Sequence, residues 1–175
     1  MALAKGDYLI VAEKVTETLL ADVGPGGLRE TSECPVKTIE ARVRREAKLY
    51  SKYELPLIGV DVGSKKEQPG PSSRLVDKIF ELELLVLCRG GDRELEVERA
   101  KKIAARLESV IREQNLADQQ FSGLAAQING SQGALIARIV STDFESRFFE
   151  DANGKNPEIA AVVSAEIIVP SDLMP

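Results

Sequence analysis

Acidic side chains are the groups in this chain whose spacing could support chemistry. Glu81 and Glu83 lie two apart, as do Asp143 and Glu145, and Glu166 stands in another apolar run. A spacing of two puts both members of a pair on one side of an extended strand. Carboxylates gathered in that way could bind Mg²⁺ or Ca²⁺, or divide into a general acid and a general base if their surroundings separated the two pKa values. The same spacing also marks the wet side of an ordinary amphipathic strand, and no D-x-D-x-D-G loop accompanies these residues. The sequence holds no histidine, which removes Ser-His-Asp and Cys-His nucleophile systems, imidazole bases and the commonest zinc ligand sets. Cys34 and Cys88 are far apart and lack a CxxC context. Cys88 falls on an apolar parity and reads as a core thiol. The expectation is no catalytic residue, no cofactor and no metal; the alternative is a carboxylate-dependent metal-binding or enzymatic α+β domain.

Charge narrows the partners. Lys and Arg total 23 against 28 Asp and Glu, a formal charge of -5, so the average field repels phosphate. Arg42, Arg44, Arg45, Lys48 and Lys52 make the strongest basic strip, but Glu40, Glu46 and Glu54 interleave with it, as on a solvated helix face. The run Gly24-Pro25-Gly26-Gly27 could cradle phosphate only with a strand before it and Lys-Ser/Thr after it; a helical pattern precedes and Leu28-Arg29-Glu30 follows. It reads as a turn. No stretch approaches the roughly 20 apolar residues needed to cross a bilayer. The start, MALAKGDYLI, lacks a long apolar run before a cleavage site, which with the isolated cysteines suggests a reducing interior compartment.

The elements that would position these residues follow from periodicity. At 175 residues, 43% hydrophobic and 29% charged, the chain is expected to fold as one domain over 1–175. Tyr8, Val11, Ala12, Val15 and Leu19 predict a helix over Asp7–Ala21 with Asp7 as N-cap, and Val36, Ile39, Val43, Ala47 and Tyr50 predict another over Pro35–Tyr53. Leu55–Val62 reads as a strand, and GSKKEQPGPSSR after it as a mobile loop of about 63–74, with Lys65, Lys66 and Arg74 as candidate partner-binding residues. In the long strand Leu75–Arg89, Phe80, Leu82, Leu84, Val86 and Cys88 face a core while Ile79, Glu81, Glu83, Leu85 and Leu87 face a half-wet side.

Asp92 should cap a helix to about Gln114 with Leu95, Ala100, Ile103, Ala104, Leu107, Val110 and Ile111 buried, followed by a polar stretch, Asn115–Gln132. Strands Ala134–Phe149 and Glu158–Val169 then pair through the hairpin signal Asn153-Gly154. The fold class is α+β: a four-stranded, mainly antiparallel sheet of two hairpins joined by a helical crossover, helices on one face. The last strand is apolar on both parities, with Ala160, Val162 and Ile168 on the second. Either the N-terminal helices or a neighbouring subunit must cover them, so these three are the candidate oligomer interface.

The amphipathic first helix, LPLIGVDV, KIFELELLVLCRG, the helix opening D-x-E-L-E and continuing AKKIAARLESVIRE, and the closing strand EIAAVVSAEIIVP together resemble the tail terminator, or tail completion, proteins of long-tailed bacteriophages and their prophages. The resemblance spans most of the chain and rests on element order and hydrophobic pattern. It implies a structural protein, not an enzyme, that assembles as a homo-oligomeric ring, typically a hexamer, capping the tail tube and joining it to the head. The implied partners are sister copies, the tail tube protein and head or neck connector proteins, with DNA passing through unbound; the implied location is the virion tail or neck, and the host cytoplasm during assembly. In such a ring Glu81 and Glu83 are candidate lumen residues, since lumen carboxylates repel phosphate.

Overall fold

The computed structural model describes residues 6–30, 36–41, 50–51, 53–69, 75–116, 118–129, 134–151 and 154–172. Val11, Ala12, Val15 and Leu19 are buried along one side of helix α1 (Asp7–Leu20). Gly6, not Asp7, holds the N-cap position, and no side chain caps the helix. Asp7 is the first helical residue, where a carboxylate suits the positive helix end and accepts bonds from Lys65 at 3.4 Å and Lys78 at 3.3 Å.

The helix expected over Pro35–Tyr53 gives way, in its described first part, to a strand. Thr38–Glu40 form β1, which pairs in parallel with β2 (Leu57–Pro69) through Thr38–Leu57, Ile39–Ile58 and Glu40–Gly59. Val36 and Ile39 are both buried, but Arg29 donates to the Val36 and Lys37 carbonyls, each at 2.9 Å, and holds the segment extended. Helix propensities differ by under about 1 kcal/mol per residue, too little to resist strand pairing and burial. Arg42, Arg44, Arg45, Lys48 and Lys52 lie outside the described residues.

β2 also corrects the loop expected from residue 63. The strand continues through Gly63, Ser64, Lys65 and Lys66 to Pro69, passing a register shift between Val62 and Ser64, and pairs antiparallel with β3 (Leu75–Arg89). This end of the hairpin lies at the margin of the core, so its strand carries polar side chains and shows no apolar period. Arg74 lies outside the described residues.

After β3 come α2 (Arg93–Glu113), a 3-10 turn (Gln120–Ser122), α3 (Leu124–Asn129), β4 (Ile136–Asp151) and β5 (Gly154–Asp172). The sheet has five strands in the order β1-β2-β3-β5-β4, one more than expected, and only the β1–β2 pairing is parallel. All three helices contribute to one cluster with the same face of the sheet, where Phe80, Leu82, Leu84 and Val86 of β3 meet Ile159, Val163 and Ile167 of β5. The α+β class and the one-sided placement of the helices therefore hold.

Asp92 caps α2 as its position predicts, accepting from the Glu94 and Leu95 amides at 2.8 and 3.3 Å. Leu95, expected in the buried stripe, is exposed, and Glu96 turns inward instead. Its carboxylate lies over Gly90, where a Cβ would collide with it, and it accepts from Arg99 at 2.9 and 3.1 Å. The polar stretch after α2 hides core residues, Phe121, Leu124 and Ala125, the first two fully buried. Amide side chains bind it to β4: Asn115 donates to and accepts from Ala137, each at 2.8 Å, while Gln120 accepts from the Leu135 amide at 2.6 Å and Gln114 from that of Phe121 at 2.8 Å.

A paired carboxylate ties α1 to α2. Arg106 donates to both Asp22 oxygens, at 2.7 and 3.0 Å, and the Leu28 amide donates to Asp22 at 2.7 Å. Burial pushes the Asp22 carboxyl up, but the Arg106 and Leu28 hydrogen bonds and the Arg106 charge together outweigh it and hold the pKa below its usual value. A folded pKa depressed in this way stabilises the fold above the unfolded carboxyl value of about 3.9 and loses that contribution as pH falls through the lower folded value. Asp22→Asn should therefore be less stable than the parent near neutrality, with the gap narrowing below about pH 4. Denaturant titrations across that range check it, and a pH-independent gap counts against it.

Candidate interaction surface

Because the helices occupy one face, the alternate residues of every strand look out on the other. One row of that face, Leu57–Leu87–Ala160, is covered by the chain itself: Tyr50 and Leu55 pack on it and form a second, smaller buried cluster. Ala160 is thus occupied within the subunit. The Tyr50 hydroxyl donates to Glu40 at 2.7 Å, which pins this cover to β1. Beneath it Arg89 donates to Glu158 at 3.0 Å through Nε, makes a second, shorter bond through Nη2, and reaches the Tyr50 carbonyl at 3.4 Å.

Beyond the cover the face is open. Leu85 and Val162 are half-buried neighbours, and Ile79, Ile168 and Ile136 form an apolar row in which Ile136 is 54% exposed. Val162 and Ile168 are therefore half-buried at the surface, roofed by no helix among the described residues. Between these apolar rows run two polar ones. In the first, Asp61, Glu83 and Ser141 are exposed. In the second, Glu81 and Glu166 are register partners, each with its own cation. Ser64 donates to Glu81 at 2.5 Å, Lys66 makes a short bond to the same carboxylate, and Arg138 donates to Glu166 at 2.6 Å. The Lys66 hydrogen bond, then that of Ser64, holds the Glu81 carboxyl below its usual range, and the Glu81 bond raises the Lys66 ammonium.

Chemically this face sets neutralised ion pairs among aliphatic side chains. Glu83 lies one row from Glu81, toward Asp61, and the carboxylates do not converge on a shared point. Among the described residues no three Asp, Glu or Cys side chains gather where they could hold a metal ion. Lys65 and Lys66, expected on a loop, are strand residues engaged with Asp7, Glu67 and Glu81. Asp143 and Glu145 are exposed on the open side of β4, and Cys88 is buried in the core. Periodicity placed Ile79 and Leu85 on this side of β3, but gave no sign that Tyr50 and Leu55 would roof one end of it. Arg138 was not singled out; an arginine on the wet parity of a strand opposite a glutamate is the signal that pointed to it. A cleft of about 230 Å³ on the helix side is lined by Asp22 and Glu113 among others, both engaged by Arg106. Among the described residues no helix is long and apolar enough to cross a membrane.

No family model matches the chain, and no curated protein matches it. Among solved structures it is similar to a chain described as "Virion of native gene transfer agent (GTA) particle", at 15% identity and a TM-score of 0.40, over 95% of this chain and 99% of that one. At that score the likeness is one of coarse outline.

Proposed function

We propose that this chain is a structural subunit of a phage-type virion, a tail terminator that forms a homo-oligomeric ring, of hexameric order, on the end of the tail tube and offers a surface to the head or neck. The observation that carries the reading is the open sheet face, where half-buried Leu85, Val162 and Ile168 and exposed Ile136 are covered by no helix among the described residues. Apolar rows of this kind, with paired charges between them, suit burial against a sister copy. The order of elements supports the same reading. The protein acts by assembly, without a catalytic residue or cofactor, in the virion and before that in the host cytoplasm. Of the candidate lumen residues, Glu83 is exposed while Glu81 is neutralised by Lys66, so Glu83 is the one suited to a channel wall that lets DNA slide past.

Mass photometry and light scattering over a concentration series, with electron microscopy of mixtures with tail tubes, test this reading. Rings, or decorated tube ends, are the expected result. Val162→Glu should leave the fold intact, because the site is half-buried at the open face, yet abolish ring formation. A chain that stays monomeric and never decorates tubes removes the reading.

A further inference from the structure

The outer edge of β4 is a second interaction surface, of a different kind. β4 ends the sheet, and among the described residues its outer backbone is met only at the start, where Asn115 engages Ala137 and Gln120 accepts from Leu135. From Ile139 onward no hydrogen bond from outside the sheet reaches its backbone among the described residues; α2 meets the strand through side chains, where Thr142 donates to Glu108 at 2.6 Å and Ser146 accepts from Arg93 at 3.1 Å. Sheet edges are commonly screened by charge, a bulge, proline or a covering element; this one carries charge and a bulge, but among the described residues no covering element meets its backbone, which leaves it able to pair with another strand. Here the free stretch carries Val140 at 59% and Phe144 at 46% exposure.

The side chains along this edge are complementary to themselves. Val140 is an extra residue in the β4–β5 ladder, which shifts register between Ile139 and Ser141. Ile139, Thr142, Phe144 and Ser146 consequently lie on the helix side, opposite Ala165, Val163, Ala161 and Ile159, while Arg138, Ser141, Asp143 and Glu145 lie on the open side. Set two β4 strands antiparallel about a two-fold axis at Thr142. The Val140–Ser141 bulge of each copy then falls opposite Asp143 of the other, Ile139 opposite Phe144, and Arg138 opposite Glu145. Every one of these pairs shares a side of the sheet, and the axis generates each twice. Glu145 has no ionic partner among the described residues, and Arg138 is exposed beside Glu166.

We infer that two copies of this chain join edge to edge along β4 about a two-fold axis at Thr142, making one continuous ten-strand sheet in which Arg138 of each copy faces Glu145 of the other. The contact is isologous and closes at two copies, so it stands apart from the head-to-tail contacts of a ring. Opposite charges directly across a strand pair stabilise it, and like charges oppose it.

Two variants read the contact directly. Glu145→Arg sets arginine against arginine twice, and Arg138→Glu sets glutamate against glutamate twice; each alone should weaken dimerisation by about tenfold or more in sedimentation equilibrium. Mixed in equal amounts they should form a heterodimer that recovers the parent affinity, because both of its pairs are then opposite in charge. Thr142→Cys, with Cys34→Ser as background, should cross-link to itself under mild oxidation, since residues on the axis approach within the roughly 4.4–6.8 Å Cα separation that a disulfide requires. A monomer at every concentration overturns the inference, as does a dimer indifferent to Glu145→Arg. A larger oligomer lacking the Thr142→Cys cross-link also overturns it while leaving the ring reading intact, and a cross-linked dimer that never forms rings does the reverse.

Discussion

Glu158→Ala should cost about 3–5 kcal/mol of folding stability, because it removes the carboxylate that Arg89 bonds through both Nε and Nη2 inside the protein. The Glu158 side chain is 0% exposed and that of Arg89 8% exposed, so neither charge can turn to solvent when its partner is lost. The pair joins the end of β3 to the start of β5 and carries the bond to the Tyr50 carbonyl, so its loss also loosens the cover over Ala160. Against a typical total of about 5–15 kcal/mol, such a loss is readily measured by guanidinium titration. Replacing both residues with apolar ones of similar volume, Arg89→Met with Glu158→Leu, should recover most of the loss, because the desolvation of both charges disappears with them. A single-variant loss below about 1 kcal/mol would mean that the pair is hydrated and not buried.

Phe121→Ala should cost a similar amount, about 3–5 kcal/mol, by opening a cavity among Leu124, α1 and the sheet. Phe121 also holds a left-handed backbone, φ 44° and ψ 45°, which L-residues adopt at a cost of roughly 1–2 kcal/mol and glycine adopts freely. Phe121→Gly should therefore be less damaging than Phe121→Ala by about 1 kcal/mol, the reverse of the usual order in regular structure. Calorimetric melting of the three proteins decides the matter. If alanine proves the milder change, the left-handed turn is not what positions the ring.

Long periodic segments were legible from the residues alone, and short or covered ones were not. α2 and β3 present their apolar positions over 21 and 15 residues, long enough for helical and alternating patterns to separate without tertiary information. β1 is three residues long, and its helical reading rested on residues that tertiary pairing with Leu57–Gly59 draws into the sheet. Phe121 and Leu124 sat in a polar run without a period, and it is packing in the main core, with amide bonds from Gln114 and Gln120 beside them, that holds them inward. The Gly63–Pro69 run failed for the opposite reason. Backbone pairing with β3 and the bonds of Ser64 and Lys66 to Glu81 hold it in the sheet, and neither leaves an apolar period in the side-chain types.

The candidate surface divides along the same line. Alternation along β5 was enough to establish that Val162 and Ile168 share a side opposite Ile159, Val163 and Ile167, because side-chain period in a strand is a covalent consequence of the extended backbone. Which of those residues remain open depended on contacts made from far away in the chain: Tyr50 and Leu55 close over Ala160, and the helices all take the other face. The pairing of Glu81 with Lys66 and of Glu166 with Arg138, and the placing of Arg138 and Glu145 on one side of β4, came from strand register and from one extra residue at Val140. Register depends on the turns and on which faces of neighbouring strands are buried together, and the pattern of one strand taken alone does not fix it.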